Sequence, residues 1–379
     1  MTGASPEVEL LLRCARTRVD PPGARHVRRL ARAGIDWAAL DALARRHKVT
    51  PLVCRSLRSV CRSCVPRDVL RSLAARTRAV ARANETAAAT LLEIAGALRA
   101  DGIRMIAYKG PTLAAVAYGD VGVREFNDLD LLVREADYLA AKRALLALGF
   151  RSRLRLENEH SFVRPPGPGV DLHRRFTHES FRLPLDADEL LPHVRPLAIA
   201  DGRVDTLAPE QLLPIVCVHA TAHCWSQLRW TCDVAELVGR ESLAWDAMLR
   251  WAAALGASRI VHVGLRLAIE LLDASVPASI ASLIERDAAA RRLAGDVRAR
   301  LVADAAAPVG AAARRILLDS RERIRDRAWY SLALVRAGLD VDGPRRPWVF
   351  AGVATAYRLL RPLRPLWRLA RRRVMPPPR

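Results

Sequence analysis

Lysine is nearly missing from this 379-residue chain: it occurs only at Lys48, Lys109 and Lys142, which leaves 58 of the 61 basic residues as arginine. That skew, with abundant alanine, is the mark of a GC-rich coding bias, so the net charge of +21 is not by itself a sign of function. Also missing is any run close to the ~20 uninterrupted apolar residues that a membrane-spanning helix needs. Glu7 and Glu9 stand where an export signal would be basic, so the expectation is a soluble, cytoplasmic protein. Seven cysteines without an export signal argue against a disulfide framework and for reduced thiols. Internal repeats are absent, and low-complexity sequence is confined to the closing Arg371–Arg379. What is plentiful is apolar: hydrophobic residues make up 51% of the chain, enough for a large packed core, which excludes intrinsic disorder for most of it.

The charge is unevenly placed. Residues 1–100 hold 19 basic and 8 acidic side chains, residues 343–379 hold 10 arginines and no acid, and residues 101–342 balance at 32 of each. The excess lies at the two ends, so chemistry performed in the centre is not driven by the broad basic surface of a dedicated nucleic-acid grip.

Apolar residues recur at helical spacing from Pro6 to about Ala100, with breaks at Asp20-Pro21-Pro22-Gly23, before Pro51 and at Pro66, which predicts four or five helices. The period changes after Asp101-Gly102. Residues 103–108 read as a buried strand, Lys109-Gly110 as a turn, and Pro111 as the first position of a helix running to about Tyr118. A second strand is expected over 129–133, an amphipathic helix over 135–148 closed by Gly149, and a third strand over 150–156. Segments 160–164 and 170–174, separated by Pro165-Pro166-Gly167-Pro168-Gly169, read as a hairpin. Helical spacing returns after Pro209, over 212–223, 230–238, 245–254, 260–272 and 314–337. These patterns predict an α+β protein: an N-terminal helical region (1–100), an α/β core (101–208), a C-terminal helical domain (209–342) and a basic aromatic tail (343–379).

The segment 126–133 carries the chemistry. Side chains alternate faces along a strand, so Asp128 and Asp130 point the same way while Leu129 and Leu131 anchor the other face. Adjacent carboxylates repel, and a divalent cation between them relieves the repulsion; hard oxygen ligands suit magnesium. Asp171, flanked by Val170 and Leu172, is a third acid on a buried strand that a neighbouring pairing can bring beside the first two. Three carboxylates on one face can hold two magnesium ions, which neutralise a nucleotide triphosphate and activate an attacking hydroxyl. Upstream, Lys109-Gly110 lies at a strand-to-helix turn suited to a phosphate, and Arg124 is a second candidate for the triphosphate. His173 shares a strand face with Asp171.

Lys109-Gly110, Leu113, Tyr118, Arg124, the run Asp128 to Val133 and the later Val170 to His173 resemble a bacterial family of uncharacterised nucleotidyltransferases within the DNA-polymerase-β-like superfamily. His219, His223, Trp225, Leu228, Trp230 and Asp233 fit that likeness, as do Ile35, Asp36 and Trp37 with His47 and Pro51. The resemblance spans most of residues 30–270. It implies a polymerase-β-like mixed sheet and metal-ligand roles for Asp128, Asp130 and Asp171. The Gly-Ser usual in the superfamily's phosphate turn is Lys109-Gly110 here. The implied activity is magnesium-dependent transfer of a nucleoside monophosphate from a nucleoside triphosphate to a small molecule, peptide or saccharide, in natural-product or polysaccharide biosynthesis. Two other readings stand beside it: a non-catalytic or tailoring partner in a biosynthetic assembly, and a nucleic-acid-modifying enzyme that uses the arginine-rich ends.

Other motifs read as structural. His219 and His223 stand one helical turn apart but lack the glutamate of a zinc-protease helix, which favours a packed or substrate-lining helix. Cys61 and Cys64 form a single CxxC without a matching second pair and read as core or surface thiols. The tail from Trp348 to Arg373 interleaves aromatics with arginines, a pattern open to docking on the protein itself, peripheral membrane contact or nucleic acid; Pro362 and Pro365 interrupt any long helix there.

Overall fold

The computed structural model describes residues 4–155, 159–176, 183, 185–305, 307–308 and 310–342. The tail read from Trp348 to Arg373 lies outside the described residues. Two compact units are present, Met1–Ile324 and Arg325–Arg379.

Five α-helices precede the sheet: α1 (Pro6–Cys14), α2 (Pro21–Arg32), α3 (Trp37–Arg46), α4 (Thr50–Val60) and α5 (Arg67–Ala100). Their starts follow from local chemistry. Ser5, Asp20 and Asp36 accept hydrogen bonds from otherwise unpaired first-turn amides of α1, α2 and α3. Proline occupies the first turn of α1, α2 and α4, where no amide hydrogen is needed.

The sheet comprises β1 (Met105–Ala107), β2 (Asp128–Val133), β3 (Arg151–Arg155), β4 (Glu159–Val163) and β5 (Gly169–His173), in the order β1-β2-β5-β4-β3. It is mixed: β2 and β5 run parallel, and the other neighbours antiparallel. Between β1 and β2 lie α6 (Gly110–Leu113) and a π-helical turn, Ala114–Tyr118. The hairpin expected around Pro165 to Gly169 forms as β4 and β5, with Ser161 opposite Asp171. The helix expected over 135–148 opens with a 3₁₀ turn and continues as α7 (Tyr138–Ala147).

One face of the sheet is apolar except for the hydrogen-bonded pair Ser152 and His160 on β3 and β4. Leu129, Leu131, Val133, Phe162, Val170 and Leu172 pack with Leu91, Ile94 and Leu98 of α5 and with Leu145 of α7. Ile106 and Leu132, on the other face, belong to a larger core shared with α1–α4 and the C-terminal helices. After a short α8 (Ala187–Leu190), β6 (Val194–Ile199) and β7 (Gly202–Leu207) form a separate two-stranded ribbon that the sequence reading did not include.

The remaining helices are α9 (Pro209–Ala222), α10 (Leu228–Arg240), α11 (Trp245–Leu255), α12 (Ser258–Leu272), α13 (Ala278–Arg286), α14 (Ala288–Val302), α15 (Gly310–Asp319) and α16 (Ile324–Asp342). The single helix expected over 314–337 is thus two. Its break has a cause: the Arg259 guanidinium donates to the carbonyls of Asp319 and Arg321, acceptors that a continuous helix would use for its own ladder. Among the described residues, no helix is long and apolar enough to cross a membrane. All seven cysteines are free thiols, with Cys61 buried and Cys64 partly buried.

Candidate active site

The polar face of the sheet gathers the acidic residues. Parallel pairing of β2 with β5 sets Asp130 opposite Asp171 and Leu132 opposite His173. Antiparallel pairing of β5 with β4 then places Ser161 opposite Asp171 and Glu159 opposite His173. Directly paired residues share a face, so Asp128, Asp130, Asp171, His173, Ser161 and Glu159 form one polar patch on three adjacent strands. The three aspartates expected to converge share this face, and the hairpin adds a fourth carboxylate. Glu159 was legible in principle, since strand alternation within the hairpin puts it on the Asp171 face.

Asp130 is the hub. It is 4% exposed; its Oδ1 lies 2.5 Å from Lys109 Nζ and 3.4 Å from His173 Nε2, while its Oδ2 is buried without a hydrogen-bond partner. Burial penalises its charge, but the Lys109 ammonium and the His173 ring more than offset that and hold its pKa well below the usual carboxylate range. Asp171 goes the other way: burial, with the charges of Asp130 and Asp128, raises its pKa despite a hydrogen bond from Ser161. Burial likewise raises Glu159, while His173, whose Nδ1 stands 3.7 Å from Glu159 Oε2, works against that rise.

Lys109 and Gly110 reach the patch through the turn after β1. Gly110 has φ +57°, and a Cβ there would meet the Asp128 carbonyl oxygen at 3.0 Å. Glycine therefore lets α6 start directly against the first residue of β2. Thr112 Oγ1 donates to the Lys109 carbonyl at 2.7 Å and steadies the turn.

Arg124 has a different position from the one its sequence context suggested. It is 4% exposed, and its Nε and Nη2 donate to Asp233 Oδ1 and Oδ2 of α10 at 2.7 and 2.9 Å; Tyr118 Oη donates to Oδ1 as well, at 2.8 Å. Burial works against its charge, yet the Asp233 carboxylate overrides this and raises its pKa. One whole edge of the guanidinium is committed to bracing the turn before β2 against α10.

Helices supply a wall. His219 Nδ1 of α9 lies 3.3 Å from Lys109 Nζ, His223 stacks on Trp230 at a centroid separation of 5.2 Å, and the two histidine rings meet edge-on at 4.6 Å. Burial and the nearby Lys109 ammonium push His219 well below the usual histidine value and His223 down to about 4. Both rings are neutral at pH 7; His219 is partly buried and His223 exposed.

Sequence reading missed Lys48. It follows α3 at φ +54° and donates to the side-chain oxygen of Asn127 at 3.1 Å, where the Asn127 amide nitrogen donates to the Phe126 carbonyl. Two of only three lysines in the chain thus stand at this patch, and their rarity was the available signal.

The donor set suits a hard divalent cation. Asp128, Asp130 and Asp171 offer carboxylate oxygens, and the buried, unpartnered Oδ2 of Asp130 lacks the cation or donor such an atom needs. Among the described residues, no three His, Cys, Asp or Glu side chains are already close enough together to hold a metal ion. The Lys109 ammonium takes Asp130 Oδ1 instead.

Comparison with known proteins agrees in kind. Residues 33–273 match the family described as "Uncharacterised nucleotidyltransferase". The solution structure of the antibiotic-resistance factor ANT(2'')-Ia is similar over 44% of this chain and 89% of its own, at 14% identity and a TM-score of 0.35. The crystal structure of an antigenic nucleotidyltransferase-like protein from Paracoccidioides brasiliensis is similar over 51% and 94%, at 18% identity and a TM-score of 0.36. Likeness that loose carries no functional weight. No curated protein matches this sequence.

Proposed function

The chain belongs to the family of uncharacterised nucleotidyltransferases, and we propose that it transfers a nucleoside monophosphate from a nucleoside triphosphate to a hydroxyl or phosphate of a small molecule, peptide or saccharide. The observation that carries this reading is the in-register pairing of Asp130 with Asp171, with Asp128 two residues upstream on the same face. Asp128, Asp130 and Asp171 would hold magnesium, two ions in the full reading, for which Lys109 Nζ has to leave Asp130 Oδ1. Bound magnesium neutralises the triphosphate and lowers the pKa of the attacking hydroxyl.

The chain's own residues do the rest. Asp171, whose pKa is raised above the usual carboxylate value, would take the acceptor's proton. His173, 3.4 Å from Asp130 Oδ1 and 3.7 Å from Glu159 Oε2, would help keep Asp130 anionic for the metal. Lys109, once released, is a mobile point charge for the phosphate group in flight, and Gly110 sets the turn that carries it. Arg124 contributes positive charge from behind the site while it braces the turn. In this reading residues 101–208 are the catalytic core, helices on either side of it in sequence wall the site, and the reduced thiols fit work in the cytoplasm.

The test is direct. Purified protein incubated with labelled nucleoside triphosphates, magnesium and small-molecule extract from its native host should yield a labelled product, identified by mass spectrometry, that needs both magnesium and Asp130. A product formed equally by Asp130→Asn, or no nucleotide consumption with any triphosphate, removes the proposal.

A further inference from the structure

Beside the carboxylate patch lies a cluster of cations that feel the charges of Glu125, Asp128 and Asp233 without forming an ion pair with them. Lys48 and Arg229 are both partly buried, and among the described residues neither comes within ion-pair distance of a carboxylate. Lys48 has the Asn127 amide oxygen, and Arg229 Nη1 donates to the Glu125 carbonyl at 3.0 Å, while Arg229 Nε is buried with no hydrogen-bond partner. Arg124, locked on Asp233, adds a third positive charge whose field reaches both. Packing like charges in a place poor in water disfavours each one, and burial with mutual repulsion pulls Lys48 and Arg229 below their ordinary pKa values. Both side chains are held firmly all the same. The Arg229 amide donates to the His47 carbonyl and the Leu228 amide to His47 Nδ1, so the Lys48 turn and the start of α10 are tied together. Trp230 supports the guanidinium at 5.3 Å.

We infer that Lys48 and Arg229, brought together next to Asn127 and Asp128 from segments 181 residues apart, form a subsite for the polyphosphate tail of the nucleotide. The inference rests on the nucleotidyl-transfer reading, and it assigns the triphosphate grip to residues outside the strand-turn segment. A polyphosphate supplies anionic oxygens in direct contact, which Glu125 and Asp128 do not give these cations, and Asn127 can donate to the same group.

Calorimetric titration of the full chain with magnesium-ATP and with inorganic tripolyphosphate tests this, using Lys48→Gln, Arg229→Gln, the conservative Lys48→Arg, and Lys142→Gln on α7 as a control. The expected result is a loss of affinity for both ligands, on the order of tenfold to a hundredfold in each Gln variant, with Lys48→Arg and Lys142→Gln near wild type. Removing one of two repelling charges should leave the melting temperature of the unliganded protein unchanged or higher. Variants that bind tripolyphosphate as wild type does overturn the subsite and leave the enzyme reading standing. Weaker binding joined to a lower unliganded melting temperature makes the cations structural and also overturns it. If wild type binds neither ligand, the subsite and the nucleotidyl-transfer reading fall together.

Discussion

Two aspartates paired across β2 and β5 carry opposite electrostatic loads. Asp130 is stabilised as an anion by Lys109, whereas Asp171 is raised by burial and by its acidic neighbours. Their substitutions should therefore agree on activity and disagree on stability. Asp130→Asn leaves a buried ammonium without its counter-ion and should lose about 1–3 kcal/mol in urea denaturation. Asp171→Asn removes a penalised charge and should raise the melting temperature of the metal-free protein. Turnover should fall in both, on the order of 10³-fold, as when a positioned electrostatic group is lost from a reaction centre. A further residue-scale prediction concerns acid. The pKa of His223 is lowered, so the ring favours the folded state above its ordinary value of 6.5 and loses that contribution as pH falls below it, an effect that solvent screening of the exposed ring reduces. His223→Asn should flatten the loss of melting temperature between pH 6.5 and pH 4; an unchanged pH profile refutes the assignment.

At the scale of elements, the turn from β1 into α6 is held by one backbone conformation. Gly110 combines a left-handed φ with a Cβ position 3.0 Å from the Asp128 carbonyl. Gly110→Ala should lose about 1–2 kcal/mol from the conformation alone, and the contact pushes on β2 as well, so activity should drop more than stability explains. Comparing chemical denaturation with turnover checks this. The hairpin of β4 and β5 was legible because its apolar alternation and Pro-Gly turn are local signals. The split of α15 from α16 was not, because the Arg259 side chain that takes their carbonyls comes from a helix about sixty residues earlier.

Across the whole first unit, the Arg124–Asp233 pair joins the segment before β2 to α10, and Tyr118 completes it. Both side chains are almost fully shielded from water, so removing one partner leaves the other as an uncompensated buried charge. Asp233→Ala should cost about 3–5 kcal/mol. The double change Arg124→Met with Asp233→Leu should recover much of that stability in thermal melts, because apolar side chains of similar volume can replace a buried ion pair. A double variant no more stable than Asp233→Ala counts against the pair's part in tying helices to sheet.

By itself the sequence determined most of the helical and strand periods, the faces of β2 and β5 that carry Asp128, Asp130 and Asp171, and the turn that carries Lys109, because alternation and turn chemistry act over a few residues. The tertiary structure alone decided which charges meet. Arg124 and Lys48 carry no local mark of their different fates: one is bound to Asp233, 109 residues away, and the other lies beside Asn127 with no carboxylate within ion-pair distance among the described residues. Coulombic attraction depends on distance in space, and only the packing of helices against the sheet fixes those distances.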